Sequence, residues 1–142
     1  SPYLHSIIIN RGTNSGIAKG MPVVDGKFLI GSIVEVNFLS SRVLLLNDLN
    51  SRIPVTFGSE GIQAILSGKG GKNPKLEYLP EVFEKKEDIT IFTSGKDGIF
   101  KPGIPVGKTQ VDNNEIRVKL FSDTSQLSFV SVQLVDQKIA NF

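Results

Sequence analysis

Hydrophobic and polar residues alternate with a period of two along most of this chain. The segments Ile116–Leu120 and Val130–Leu134 show the pattern most clearly. Side chains that alternate in this way point to opposite faces of a β-strand, so each segment predicts a half-buried strand. Further strands are expected at Leu4–Asn10, Val23–Asp25, Phe28–Asn37, Val43–Asn47, Ile53–Phe57, Gln63–Ser67, Leu76–Leu79, Ile89–Thr93 and Pro105–Val111.

The short spacing between these strands predicts the fold class. Turn residues separate them repeatedly, as is typical of β-barrels and sandwiches. No long segment carries the apolar stripe of an amphipathic helix, and at Pro80–Lys86 a single helical turn and a surface loop are both open. We therefore predict an all-β fold, a barrel or a sandwich, with mostly antiparallel strands and little helix. Two small β-barrel-like domains packed together would fit the length of the chain.

The 142 residues are enough for one ordinary domain or two very small ones. We expect a first β-barrel-like domain over residues 1–57, a second over 58–136, and a C-terminal tail over 137–142. In an alternative layout, the last strand, expected over 129–135, returns to complete the first domain.

The stretch Thr93–Lys108 is dense in glycine and proline. Glycine permits positive φ and proline fixes φ at about −65°, so this stretch specifies a backbone path and supplies no reactive group. Gly31, inside a predicted strand, indicates a bend or the close approach of another backbone. Structural turn roles are predicted for Gly20, Pro22, Gly31, Ser51, Pro54, Gly95, Gly98, Gly103, Pro105 and Gly107.

Charge and composition exclude several function classes. Sixteen basic and 14 acidic residues give a net charge of only +2, and the basic residues are scattered, which disfavours nucleic acid as a partner. The chain has no cysteine, so it has neither disulfides nor thiolate metal sites. No segment approaches the roughly 18 apolar residues of a membrane helix, and the chain opens without methionine. We expect a soluble piece of a longer protein, and any membrane anchor would lie outside it.

The search for catalytic chemistry begins with the glycine-rich segment Ser67–Pro74. Gly71 and Lys72 resemble the end of a Walker motif, but Leu66 and Asn73 stand where the motif needs glycine and a serine or threonine. The segment therefore predicts a loop or hairpin tip with two solvated lysines.

His5 is the only histidine, so any serine-protease triad would have to use it. Ser51 and Ser94 are candidate nucleophiles, but neither lies in a Gly-x-Ser-x-Gly element. The acidic residues show no metal-ligand spacing, and Asp48 is expected to cap local backbone in a turn. We predict no catalytic residue, no metal site and no cofactor.

Six motifs run in a recognisable order and carry a family resemblance. The chain resembles the MreC family of rod-shape-determining proteins over nearly its whole length, as far as about Val135. Two local departures are Glu87, where the family commonly has glycine, and Pro102, which stands one position later than usual. The motifs are Gly20–Val24, Gly31–Val34, Ser41–Asp48, Ser51–Val55, Leu76–Pro80 and Thr93–Gly107.

The resemblance implies a non-catalytic scaffold of the cell-elongation machinery, in the periplasm or at the extracytoplasmic face of the cytoplasmic membrane. The resemblance also implies that the full-length protein has an N-terminal membrane helix and a dimerising coiled coil. As a member of this family, it would bind and activate the elongation-specific penicillin-binding transpeptidase, connect to the MreB, MreD and RodZ system, and self-associate as dimers or filaments.

Exposed aromatic side chains are the predicted partner contacts. Phe38, Tyr78 and Phe83 each lie beside a turn or polar run, where burial within this chain is less assured. Two other functions are left open: a trypsin-like double-β-barrel hydrolase and a glycan-binding module.

Overall fold

A computed structural model describes residues 5–81, 83–96, 98, 100–124 and 130–134. Within these residues the chain forms eleven β-strands and a short 3-10 turn at Thr13–Ser15. The predicted all-β fold is confirmed, and every strand pairing is antiparallel. The strands are β1 Ser6–Ile9, β2 Pro22–Asp25, β3 Phe28–Val36, β4 Ser41–Leu45, β5 Arg52–Phe57, β6 Ile62–Lys69, β7 Lys72–Glu77, β8 Thr90–Thr93, β9 Pro105–Asp112, β10 Glu115–Leu120 and β11 Ser131–Val132.

The strands form two sheets. One is a five-stranded open sheet in the order β1-β4-β3-β2-β11, and the other is a closed barrel in the order β10-β7-β6-β5-β8-β9. The segment 80–86, where a helical turn was open, forms no helix among its described residues. In the described part of the chain, no helix has the length and apolar character needed to cross a membrane.

Sheet membership does not coincide with the domain boundary expected after Phe57. β5 pairs with β6 and β8, so Arg52–Phe57 belongs to the barrel. β11 pairs with β2 and so joins the open sheet, as in the alternative layout. We therefore propose one unit of residues 5–46 with 130–134 and a second of 51–122. The expected tail, 137–142, lies outside the described residues.

The two units share apolar packing. The barrel core includes Val24, Leu29 and Leu46, all of which come from the open-sheet part of the chain. At the same contact, the Ser122 hydroxyl donates to Asp25 Oδ2 at 2.7 Å, and the Phe28 and Phe121 ring centroids lie 5.0 Å apart. A second core fills the open sheet: Ile17, Met21, Val23, Ile30, Ile33, Val43 and Leu45.

A buried carboxylate organises the connection between the units. Asp48 is 1% exposed, and its Oδ1 accepts a hydrogen bond from the Asn50 backbone N–H at 2.8 Å, which is the local cap expected from the sequence. Its Oδ2 also accepts from the backbone N–H of His5, at 2.6 Å. One side chain therefore ties the start of the open sheet to the turn that enters the barrel.

The glycine-rich segment 67–74 forms a hairpin tip, one of the two structures predicted for it, and not a longer loop. β6 continues to Lys69 and β7 begins at Lys72, which leaves only a tight turn between them. A Cβ at Gly68 would lie 1.8 Å from the Asp48 carbonyl oxygen. The Gly70 N–H donates to the Asn47 carbonyl at 2.7 Å, so the glycines allow this hairpin to pack directly on the connection.

Among the described residues of the stretch 93–108, three glycines have backbone conformations that suit turns. Gly95, Gly98 and Gly103 have φ of 68°, 77° and 84°, in the left-handed region that favours glycine. Thr93 fastens the stretch, because its buried hydroxyl donates to the Lys101 carbonyl at 2.6 Å and accepts from the Ile104 N–H at 3.0 Å. Lys101 directly precedes Pro102, the proline that stands one position later than is usual in the MreC family.

The other turn-motif residues serve several structural ends. Gly20 has φ of 94°, and Pro22 and Pro105 begin β2 and β9. Gly31 is a site of close approach, since a Cβ there would lie 2.2 Å from the Leu44 carbonyl oxygen, and at Gly107 it would lie 2.3 Å from that of Lys119. These two glycines are required by neighbouring strands and not by turns.

Ser51 and Pro54 mark the entry into the barrel. Ser51 is buried, and its backbone N–H donates to the Asp48 carbonyl at 2.9 Å. The Pro54 carbonyl accepts from the Ser94 N–H at 3.1 Å, just past the last pair between β5 and β8, Val55 with Thr93. In an antiparallel strand, the nitrogen and the carbonyl of one residue point to the same side, so the Pro54 nitrogen also faces Ser94. Ser94 lies beyond the paired residues, and the missing N–H of Pro54 therefore interrupts no strand pairing.

Replacing Asp48 with alanine will destabilise the protein, because two backbone N–H groups lose their acceptor inside the junction. We expect the free energy of unfolding, measured by urea denaturation, to fall by about 2–4 kcal/mol. Asp48→Asn retains an acceptor oxygen and should lose less. The exposed Asp112 provides the control, since Asp112→Ala should stay within about 0.5 kcal/mol of the wild type. Equal stability of the Asp48→Ala and Asp112→Ala variants would contradict this role.

Candidate interaction surface

Large apolar side chains are exposed at several places in the described part of the chain. Phe38 is 68% exposed and Tyr78 is 82% exposed, so two of the three predicted contact residues project into solvent. Exposed aromatic side chains are common anchors of protein interfaces. The other exposed large apolar residues are Ile8, Leu39, Leu49 and Leu134.

Phe38 and its neighbour Leu39 lie at the tip of the turn between β3 and β4. A turn tip has no strand beside it to cover its side chains, and Leu39 is 64% exposed. The backbone beneath them is nevertheless held: Asn37 and Phe38 carbonyls accept hydrogen bonds from the N–H groups of Thr13 and Asn14, at 2.9 and 3.2 Å. The apolar pair is therefore presented on a fixed support.

Tyr78 follows directly after β7 and has an unusual backbone conformation. Its φ is 62°, in the left-handed region that bulky residues rarely adopt. Backbone strain of this kind costs about 1–3 kcal/mol and occurs preferentially at functional sites. The strained backbone and the highly exposed ring together make Tyr78 a strong candidate for a contact residue.

Phe83 differs from the other two predicted contacts, because it is packed within the chain. Its ring meets that of Phe57 edge to face, with centroids 5.4 Å apart, and it lies against the barrel core. Only part of the ring reaches the surface. The polar residues next to Phe83 in the sequence predict exposure. The ring that covers it belongs to Phe57 at the end of β5, which is distant in the sequence.

The three predicted residues lie on three different elements. Phe38 belongs to the open sheet, Tyr78 follows a barrel strand, and Phe83 lies in the loop before β8. Ile8 is not among the predicted contacts, yet it is 64% exposed on the edge strand β1. Ile7 and Ile9 pack into the sheet core, so strict alternation already placed the middle isoleucine of the three on the outer face.

In the described part of the chain, no hydrogen bonds join side chains into a hydrolytic triad. His5 Nε2 is buried and has no hydrogen-bond partner among the described residues. The Ser94 hydroxyl accepts from the Lys96 N–H at 3.2 Å, and Ser51 is buried in the junction. Within the described ranges there is also no cluster of three or more side chains that could ligate a metal.

A polar cleft separates the turns of two barrel hairpins, β6–β7 and β9–β10. Asn73 Nδ2 donates to Gln110 Oε1 across it, at 3.2 Å. Glu115 lies 3.3 Å from the Lys75 ammonium and 2.7 Å from the Arg117 guanidinium. Hydrogen bonding from Lys75, together with the charge of Arg117, lowers the pKa of Glu115 below its ordinary value. Glu115 is thus paired with Arg117 inside the cleft and with Lys75 beside it.

Comparison with known proteins identifies close relatives. A family model described as "Rod shape-determining protein MreC, barrel core" matches residues 1–133. The cell shape-determining protein MreC of Caulobacter vibrioides is 37% identical over 145 aligned positions, which cover 96% of this chain and 42% of that protein. The chain thus spans less than half the length of this relative.

Solved structures share the fold. The crystal structure of MreC from Pseudomonas aeruginosa has a TM-score of 0.82 and 30% identity, and the match covers 94% of this chain and 92% of that one. A periplasmic domain from "the cell shape-determining filament MreC" has a TM-score of 0.78, 26% identity and coverage of 90% and 85%. MreC from Helicobacter pylori, in complex with the penicillin-binding protein PBP2, has a TM-score of 0.73, 19% identity and coverage of 90% and 85%.

The conformation of Tyr78 generates a stability prediction. Tyr78→Gly and Tyr78→Ala both remove the exposed ring, but only glycine adopts a φ of 62° without strain. We therefore expect the glycine variant to be more stable than the alanine variant by about 1 kcal/mol in urea denaturation. If alanine is as stable as glycine, the backbone at this position is not strained.

Proposed function

The chain belongs to the MreC family of rod shape-determining proteins, and we propose that it is a non-catalytic scaffold that binds and activates the elongation-specific penicillin-binding transpeptidase. One observation carries the proposal: a protein of the same fold, MreC from Helicobacter pylori, is found in complex with PBP2. Control of cell shape would then result from positioning peptidoglycan synthesis.

Phe38, Leu39 and Tyr78 are the side chains we propose as anchors for this partner. Each is more than 60% exposed, and burying such side chains against a partner removes apolar area from water. The backbone under Phe38 is hydrogen-bonded to a neighbouring segment, so little ordering would be needed on binding. Phe83 is less suited to project into a partner, because much of its ring is already packed against Phe57.

We further propose that copies of the chain associate through the open sheet. β1 is an edge strand, and a second chain can add to its free edge by backbone hydrogen bonding. Ile8 projects from this strand and would supply apolar contact. A relative described as a filament supports self-association in the family.

The cellular setting is also a proposal. A related domain is described as periplasmic, which supports placing this chain at the outer face of the cytoplasmic membrane. The full-length protein would be anchored there and would connect the transpeptidase to the MreB, MreD and RodZ system. Because the chain spans 42% of its Caulobacter relative, those connections can involve other parts of the protein.

Serine substitutions at the exposed aromatics test transpeptidase binding. We expect Phe38→Ser or Tyr78→Ser to weaken binding to the soluble region of the cognate transpeptidase by about 30-fold, the effect of losing one interface anchor. Co-purification combined with mass measurement by light scattering reports binding and self-association together.

Leu49→Ser is the matched control, since Leu49 is 42% exposed and lies in the turn between β4 and β5, at the other end of β4 from Phe38. Its binding should stay within about threefold of the wild type. Wild-type binding that survives both aromatic substitutions would refute this contact surface. If this chain fails to bind where the complete ectodomain binds, the contact lies elsewhere in the protein.

His5 separates the scaffold from a hydrolase. The hydrogen bond to Asp48 uses the backbone N–H of His5, so His5→Ala keeps it, and we expect transpeptidase binding and assembly mass to remain unchanged. Casein hydrolysis by the wild type that disappears in His5→Ala would overturn the scaffold proposal. A thermal shift with muropeptide fragments, in the absence of transpeptidase binding, would favour the glycan-binding module instead.

A further inference from the structure

A groove of about 360 Å³ lies at one end of the barrel, between the β5–β6 turn and the loop that precedes β8. We refer to it as the barrel-end groove. Its volume is within the range of roughly 300–1,000 Å³ that is usual for ligand sites. Its apolar residues are Phe57, Ile62, Pro80, Phe83 and Ile89, and its charged residues are Glu60, Glu84 and Lys86.

The apolar floor of the groove is only partly covered by the chain. Phe57 is buried and supports the edge of Phe83, whereas Ile62, Phe83 and Ile89 are all partly exposed. Inserting one apolar side chain would complete their burial. Burying apolar area of this kind gains roughly 25 cal/mol per Å².

The walls of the groove are held in place before any ligand binds. The buried Thr109 hydroxyl donates to the Lys86 carbonyl at 2.7 Å and accepts from the Ile89 N–H at 3.0 Å. In the same loop before β8, the Phe83 N–H donates to the Pro80 carbonyl at 3.0 Å. A preformed wall reduces the entropy that binding must overcome.

The rim of the groove has an acidic excess. Glu84 and Lys86 lie 4.0 Å apart and are both well exposed, so they balance each other. Glu60 has no ion pair in the described part of the chain. The ammonium of the neighbouring Lys85 is held at Asn114, where it donates to the backbone carbonyl and side-chain oxygens.

We propose that the barrel-end groove binds an extended peptide segment whose apolar side chain, aromatic or aliphatic, is flanked by lysine or arginine. The floor would take the apolar side chain, and Glu60 would attract the flanking cation. An acidic rim repels phosphate groups, so anionic lipid and nucleic acid fit this surface poorly. Neither Phe38 nor Tyr78 lines the groove, and peptide binding there does not require transpeptidase binding.

A titration followed by amide chemical shifts in NMR tests the proposal with two synthetic probes. The basic probe is acetyl-Gly-Lys-Phe-Lys-Gly-amide, and its acidic counterpart replaces both lysines with glutamate. We expect saturable shifts at Ile62, Phe83 and Ile89 with the basic probe and at least about fivefold weaker binding of the acidic one. Equal affinity for the two probes, or shifts elsewhere only, would overturn the proposal.

Glu60→Lys provides the sharper variant, because an exposed residue can change charge without disturbing the core. It should reverse the preference, so that the acidic probe binds more tightly. Glu35→Lys, on the exposed surface of the open sheet, is the charge-reversal control and should leave the preference unchanged. Because this change also removes the ion pair with Arg42, its NMR spectrum must first show a folded protein. Ile62→Glu should abolish binding of the basic probe in a variant whose NMR spectrum remains folded.

Vesicles containing phosphatidylglycerol distinguish a membrane site from a peptide site. Vesicle binding that is lost in Ile62→Glu, with no saturable binding of the basic peptide, would refute the proposal. Peptide binding that persists unchanged in both Glu60→Lys and Ile62→Glu would refute it as well.

Discussion

The carboxylate of Asp48 is the interaction on which the arrangement of the two units depends. The carboxylate is buried and accepts hydrogen bonds from the backbone N–H groups of His5 and Asn50. The backbone carbonyl of Asp48 lies against Gly68. A buried carboxylate is tolerated only where such donors replace water. The first strand of the open sheet, the connecting turn and a barrel hairpin therefore meet at one point, and Leu46 beside it inserts into the barrel core.

This junction matters because the exposed apolar residues lie on both sides of it. Phe38 is carried by the open sheet, whereas Tyr78 is carried by the barrel. A partner that contacts both residues would have to match the distance between Phe38 and Tyr78. The junction and the shared core determine that distance. Each anchor also has local support: hydrogen bonds beneath Phe38 and a defined, strained backbone at Tyr78. Rigid presentation of this kind suits a scaffold, since it limits the entropy lost on binding.

Local patterns predicted the strands and the exposure of Phe38 and Tyr78, because alternation and turn position act over a few residues. Contacts between distant residues were not predictable. Gly68 was assigned to a loop because its glycine-rich surroundings suggest flexibility, but the requirement comes from the Asp48 carbonyl on another element. Phe83 was expected to be exposed for the same reason, since nothing near it in the chain indicates the ring of Phe57.

The exposed aromatic side chains and the barrel-end groove have opposite shapes, so they suit different features of a partner. Phe38 and Tyr78 project, so they require pockets in a partner, whereas the barrel-end groove is concave and requires a projecting side chain. Shape complementarity therefore directs the two surfaces to different partner features. The acidic excess at Glu60 adds a charge requirement that neither aromatic imposes. If both proposals hold, the two surfaces bind different protein segments, because neither segment fits the other site.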